Sequence, residues 1–302
     1  MRVNSLSFSS TMLHNLGRNS SKLNKLMTQI NEQKRVITPS DDPIASTQIA
    51  QIRREQAAIG QYQRNIERLG HSLSQQETLV DSASQQLLNM LDKVREANNS
   101  SHSAVDMGGF ASELGAMKDM LVELMNSRDE SGRFLFAGTK TNQQPMVRDA
   151  TSGEWTFAGN HESNSTPIGH GVLMKSNTDL AAAFGNDMQM VNQLEALLSK
   201  MSDATQSPES YADEMSAMID TLQGTSDRVA SIFTDLGGRQ NNLTLMDEAH
   251  LDNKTIHDEV AGQLQGLDMA SALLELNRYT TASQSSYKTY NQIATLSLFN
   301  LR

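Results

Sequence analysis

The residues most suggestive of chemistry lie in Gly132-Arg133-Phe134-Leu135-Phe136-Ala137-Gly138-Thr139-Lys140-Thr141, where two glycines precede a lysine. A phosphate-binding loop uses such glycines so that main-chain N–H groups can close around the anion, with the lysine directly after the second glycine. Here the spacing is one residue too long and Thr139 separates Gly138 from Lys140. Asn142-Gln143-Gln144-Pro145 follows where a helix N-terminus should receive the phosphate. The stretch reads instead as a strand pair around a glycine turn.

Seven histidines are scattered: His14, His71, His102, His161, His170, His250 and His257. None has a zinc-ligand spacing. His161-Glu162 lacks a second histidine four positions on, and His250 with His257 stand one heptad apart, as residues sharing a helix face do. There is no GxSxG nucleophile elbow. Asp41-Asp42 are paired carboxylates, but adjacent and followed by Pro43 they suit a turn and a helix start, with an aspartate as N-cap and proline in the first turn. The chain has 0 cysteines, which removes disulfides, thiolate metal sites and cysteine nucleophiles together. No catalytic, cofactor-binding or metal residue is therefore assigned, and a non-enzyme with no cofactor is expected.

The bulk composition says what elements stand around these residues. In 302 residues aromatic side chains make up only 5%, with Trp155 the single tryptophan, whereas there are 17 methionines. Slender and flexible side chains suit the narrow seams of helical bundles, so the methionines read as core packing before they read as a promiscuous groove. A net charge of −10 argues against nucleic-acid binding. The first 40 residues are the exception, with Arg2, Arg18, Lys22, Lys25, Lys34 and Arg35 against Glu32. They lack the compact apolar stretch of a cleavable signal peptide. The longest apolar runs, such as Leu180 to Phe184, fall far short of the roughly 20 residues a membrane span needs, so no membrane insertion is expected.

After Thr38-Pro39-Ser40-Asp41-Asp42-Pro43, apolar residues recur every seven positions at Ile52, Ile59, Ile66, Leu73, Val80, Leu87 and Val94. A second row holds Tyr62, Leu69, Ala83, Met90 and Ala97, interrupted by Gln76. This heptad seam predicts one helix of about 55 residues, roughly 80 Å long, which needs partners along its length. Phe110, Leu114, Met117, Leu121 and Leu124 form a shorter seam, and Met215, Met218, Leu222, Val229, Ile232, Leu236, Leu243 and Met246 a longer one after Pro208. A last helix is expected to carry Val260, Leu264, Met269, Leu273, Leu276, Tyr287, Tyr290, Ala294, Leu298 and Leu301. At the other end Leu16, Leu23, Ile30 and Ile37 keep the seven-residue repeat, with Leu13 and Met27 beside them. Both terminal stripes are too narrow to offset ordering entropy alone, so pairing with each other or with neighbouring copies is expected. Only the stretch from about Arg133 to Thr178, punctuated by Gly, Pro and Asn, reads as β-prone.

Several segments resemble those of bacterial flagellins and, more closely, of the hook-associated protein 3 family, the hook–filament junction proteins. They are Ile37 to Pro43 with Ser46 to Arg53, Tyr62-Gln63-Arg64-Asn65-Ile66, Leu79 to Ala83, and Arg133 to Thr139. Near the end Leu276-Asn277-Arg278, Gln284 to Tyr287 and Leu296-Ser297-Leu298-Phe299-Asn300 carry the same resemblance. It implies a mainly α fold: an elongated flagellin-like rod of long antiparallel helices with coiled-coil packing, plus a small β-rich outer insert. Residues 1–42 and 262–302 would be terminal axial helices, 43–138 and 186–261 a helical rod, and 139–185 the outer domain. The resemblance further implies secretion by flagellar type III export, an export chaperone on the C-terminal stripe, and self-association in a ring or helical assembly. Its neighbours there would be another hook-associated protein and flagellin, at the extracellular hook–filament junction. A filament flagellin is the competing reading, and an unrelated coiled-coil scaffold or exported enzyme a third.

Overall fold

Long stretches of good helix formers, free of proline and threaded by an apolar row, have one economical solution, which is to bury the row against another helix. A computed structural model describes residues 2–99 and 103–299, and there the chain is mainly α with a small two-sheet insert. The helices are α1 (Arg2–Glu32), α2 (Pro43–Ala97), α3 (Ala104–Met125), α4 (Gln189–Met201), α5 (Ala212–Gln265) and α6 (Met269–Phe299). Between α3 and α4 lie β1 (Met146–Arg148), β2 (Trp155–Phe157), β3 (Ser165–Gly169) and β4 (Val172–Lys175). Each sheet is an antiparallel hairpin, β1 with β2 and β3 with β4.

The chain divides into two units, one of residues up to Ala58 and from Asp252 onward, the other of Ile59–Leu251. In the second unit α2 and α5 run antiparallel. The amides and guanidinium of Gln63, Gln240 and Arg95 reach Asp247, Glu77 and Gln223, so positions rise on one helix as they fall on the other. Between them Leu73, Val80, Leu87 and Val94 are fully buried against a core that includes Met218, Leu222, Val229 and Leu236. Each such side chain contributes about 1.5–3 kcal/mol on burial. The α3 helix starts in a reciprocal capping box between Ser103 and Asp106 and brings Met107, Leu114 and Leu121 to the same core.

In the first unit, α1 closes in a Schellman arrangement. Lys34 N–H donates to Gln29 C=O (3.1 Å) and Gln33 N–H to Ile30 C=O (3.3 Å). Gln33 takes the left-handed conformation (φ 55°) that glycine fills more cheaply. The chain is then turned so that Lys34 forms an antiparallel bridge with Gly266. Val36, Ala45 and Ile49 make a small separate core with Leu264 against it.

Two expectations need correction. The last helix is not continuous from Val260: Val260 and Leu264 end α5, and a break at Gly266 to Asp268 precedes α6. Asp268 causes the restart, because its carboxylate accepts the Ala270 and Ser271 N–H groups and the Ser271 hydroxyl. The glycine-containing stretch 132–141 is not a strand pair but a single Arg128–Phe134 bridge followed by turns. Asp129 takes the Ser131 and Arg133 amides (2.9 Å each), so a side-chain turn replaces the ladder. Gly138 is required there: at φ 69° a Cβ would sit 1.9 Å from the Asn160 carbonyl oxygen.

Candidate assembly interface

The start of α2 is the most elaborated polar site of the first unit. Asp42 Oδ1 accepts the Ala45 N–H (3.0 Å) with Pro43 as the first helical residue, which makes Asp42 the N-cap. Its other oxygen meets Arg35 (3.0 Å), whose guanidinium also donates to Leu264 C=O (3.1 Å). Asp41 instead receives Lys25 from α1 (2.5 Å) and the N–H groups of Thr38 (2.8 Å) and Ile37 (3.0 Å). The Lys25 ammonium first, then those amides, hold the Asp41 carboxyl far below the usual carboxylate range. The Ala45 amide and Arg35 lower Asp42 in the same direction. These two carboxylates therefore stay ionised and clasp α1, the 33–42 segment and the end of α5 together.

From that clasp α1 and α6 run antiparallel as a pair, as Lys34 opposite Gly266 and the Lys22 ammonium over the Tyr279 ring (5.5 Å) establish. Leu16, Leu23 and Ile30 are half-buried and Leu26 is buried, while Leu13 and Met27 face out; Ile37 is half-buried beyond the helix. On α6 the inward row is Ala272, Leu276, Tyr279, Ser283, Ser286 and Tyr290. Met269, Leu273 and Tyr287 are exposed, and Leu274, 72% exposed, stands with them. The side chains of Ala294 and Leu298 and the whole of Leu301 lie outside the described residues. The predicted C-terminal stripe is thus split between two faces: Leu276 and Tyr290 join the pair, and Met269, Leu273 and Tyr287 face outward. Ile256 and Val260 on α5 are exposed in the same unit.

The seven α2 heptad residues Ile52, Ile59, Ile66, Leu73, Val80, Leu87 and Val94 are all buried. Gln76, which interrupts the second row, is buried too, and its amide donates to Ser176 C=O (3.0 Å) at the end of β4. Sequence reasoning missed a further set that fastens the insert. Glu195 on α4 accepts from Trp155 Nε1 (2.7 Å), Arg148 (2.5 Å) and the largely buried Lys118 (3.3 Å). His250, at a buried heptad position, stacks on Tyr62 and binds the Ile168 carbonyl (2.7 Å). The available signal was a charged or polar residue standing in an apolar helical row. Among the described residues no group of three or more His, Cys, Asp or Glu is placed to hold a metal, and no helix is long and apolar enough to cross a membrane.

Residues 3–141 match the bacterial flagellin N-terminal helical region. Flagellar hook-associated protein 3 of Escherichia coli K12 is 28% identical over 291 residues, 90% of each chain. A flagellar hook-associated protein from Vibrio parahaemolyticus superposes with a TM-score of 0.69 at 36% identity, covering 75% of this chain and 100% of that one. The chain belongs to the flagellar hook-associated protein 3 family. The fold is shared as far as the flagellar junction protein FlgL of Legionella pneumophila, with a TM-score of 0.59 at 15% identity over 72% of this chain and 100% of that one. In this hook-associated protein, the matched N-terminal region takes in α1, the Asp41–Asp42 clasp, α2 and α3.

Proposed function

We propose that the chain is the structural subunit that joins hook to filament in the bacterial flagellum. The observation that carries this reading is the α1–α6 pair, whose inner row is narrow and rich in small residues while apolar side chains remain on its outer surface. Such a pair gains more by meeting further copies than by standing alone, which is folding coupled to assembly. Residues 1–42 and 262–302 then form the axial part of a ring or helical assembly, 43–138 and 186–261 its lateral frame, and 139–185 the outward part. The assembly is heterologous, between another hook-associated protein on one side and flagellin on the other.

The same exposed face needs masking before assembly, and an export chaperone on α6 would serve. Type III export of an unfolded chain accords with 0 cysteines, and it delivers the subunit to the extracellular tip. A structural role with no catalytic step follows from this reading. Deletion of the gene tests it: hooks remain while flagellin escapes into the medium. Anchored filaments in the deletion strain would contradict it, and loss of filament without escaped subunits would favour the flagellin reading.

A further inference from the structure

A short strand with unpaired main-chain groups on its outer side invites a strand from another chain, and proteins usually close such edges. Three of the four strands in the insert have an outward position held by side chains from the helical part of the chain. Asn126 both donates to and accepts from the main chain of Met146 on β1 (3.1 and 2.9 Å). Asn192 does the same for Trp155 on β2 (2.9 and 2.8 Å). On β3 the outward carbonyls of Pro167 and Ile168 go to Asn65 (2.8 Å) and His250 (2.7 Å).

The fourth strand differs. Ser176 N–H donates to Asn164 C=O (2.8 Å), so by the antiparallel alternation Thr166–Met174 is the next hydrogen-bonded pair. The N–H and C=O groups of Leu173 and Lys175 then point away from β3. Among the described residues no hydrogen bond reaches them from outside the hairpin. Leu173 is also 67% exposed, on the face opposite Met174, which packs on the core.

We propose that β4 of one copy pairs antiparallel with β4 of a second copy. With Met174 opposite Met174 of the partner subunit at the two-fold axis, Leu173 of each copy faces the other's Lys175. The outward groups then meet in a pair of hydrogen bonds at each end of the contact. This register sets lysine against leucine and so avoids like charges across the pair. The occupant is a second β4 because each of the other strands has an outward position already held by a side chain, whereas both outward positions of β4 are open. A closed two-fold contact does not propagate, so the pairing belongs to the free subunit and is independent of the assembly contacts proposed above.

Sedimentation of the purified full chain over a dilution series, with two variants and one cross-link, tests the pairing. The wild type forms a weak dimer that dissociates on dilution. Leu173→Lys sets like charges across both ends, and Leu173→Pro removes the outward N–H without touching the hairpin's own bonds. Each raises the dimer dissociation constant roughly ten-fold or more, with Trp155 fluorescence unchanged. In a chain with 0 cysteines, Met174→Cys yields a disulfide-linked dimer on mild oxidation. A wild type that is monomeric at every concentration overturns the proposal. So does a dimer indifferent to both changes at Leu173 and not cross-linked through position 174, which would run through the terminal helices.

Discussion

Single residues in this molecule act mainly by tying main chain to helix, and Glu195 and Asp41 show how much rests on one carboxylate. Glu195 holds Lys118, Arg148 and the indole of Trp155 at once. Glu195→Gln leaves the largely buried ammonium of Lys118 without that counter-charge and should cost about 1–3 kcal/mol. Urea unfolding followed by the fluorescence of Trp155, the chain's 1 tryptophan, measures that loss where it arises. Asp41 makes a pH prediction. Its folded carboxyl is depressed by Lys25 and two amides, so its contribution is complete above the ordinary carboxylate value, about 3.9. It is lost as the pH falls below that value toward the depressed one. Thermal unfolding at pH 7 and pH 3 should show the first unit losing stability in acid, and Asp41→Asn should remove part of that dependence. Neither role was visible in the sequence at its full extent. Asp41-Asp42-Pro43 announces a helix start, but Lys25 and Leu264 are brought to it only by folding.

At the scale of elements, periodicity was a good guide where large apolar residues face inward and a poor one where small residues do. The α2 row from Ile52 to Val94 is buried, and Leu87→Ala should cost about 2–5 kcal/mol in denaturant unfolding. On α6 the inward row includes Ala272, Ser283 and Ser286, which carry little hydrophobic signal, so the apolar stripe drew attention to outward residues. Two substitutions separate the faces. Ala272→Arg drives a charged side chain into the α1–α6 seam and should loosen the pair, read as loss of helix content and faster proteolysis of both terminal segments. Leu274→Ser, on the outer face, should change stability by less than about 0.5 kcal/mol while lowering assembly onto hook tips. Equal behaviour of the two variants in the assembly and proteolysis readouts would contradict the assignment of faces. The break before α6 was also legible in part, since Gly266 and Asp268 are punctuation residues. The apolar spacing continued across them and masked it.

For the whole molecule, helix number, the long α2 and the position of a small β insert were all readable, because they follow from local patterns of apolar residues, glycine and proline. The fastening of the insert was not, because it depends on contacts such as Asn126 with Met146 and Asn192 with Trp155, which are far apart in sequence and have no period. The family membership places this chain among flagellar hook-associated proteins, and the central claim is its position as the junction between hook and filament. Imaging of a functional, site-labelled chain on intact flagella tests that claim most directly. The account predicts one compact band at the hook–filament boundary of each flagellum. Label distributed along the filament, or absent from the flagellum altogether, would contradict it.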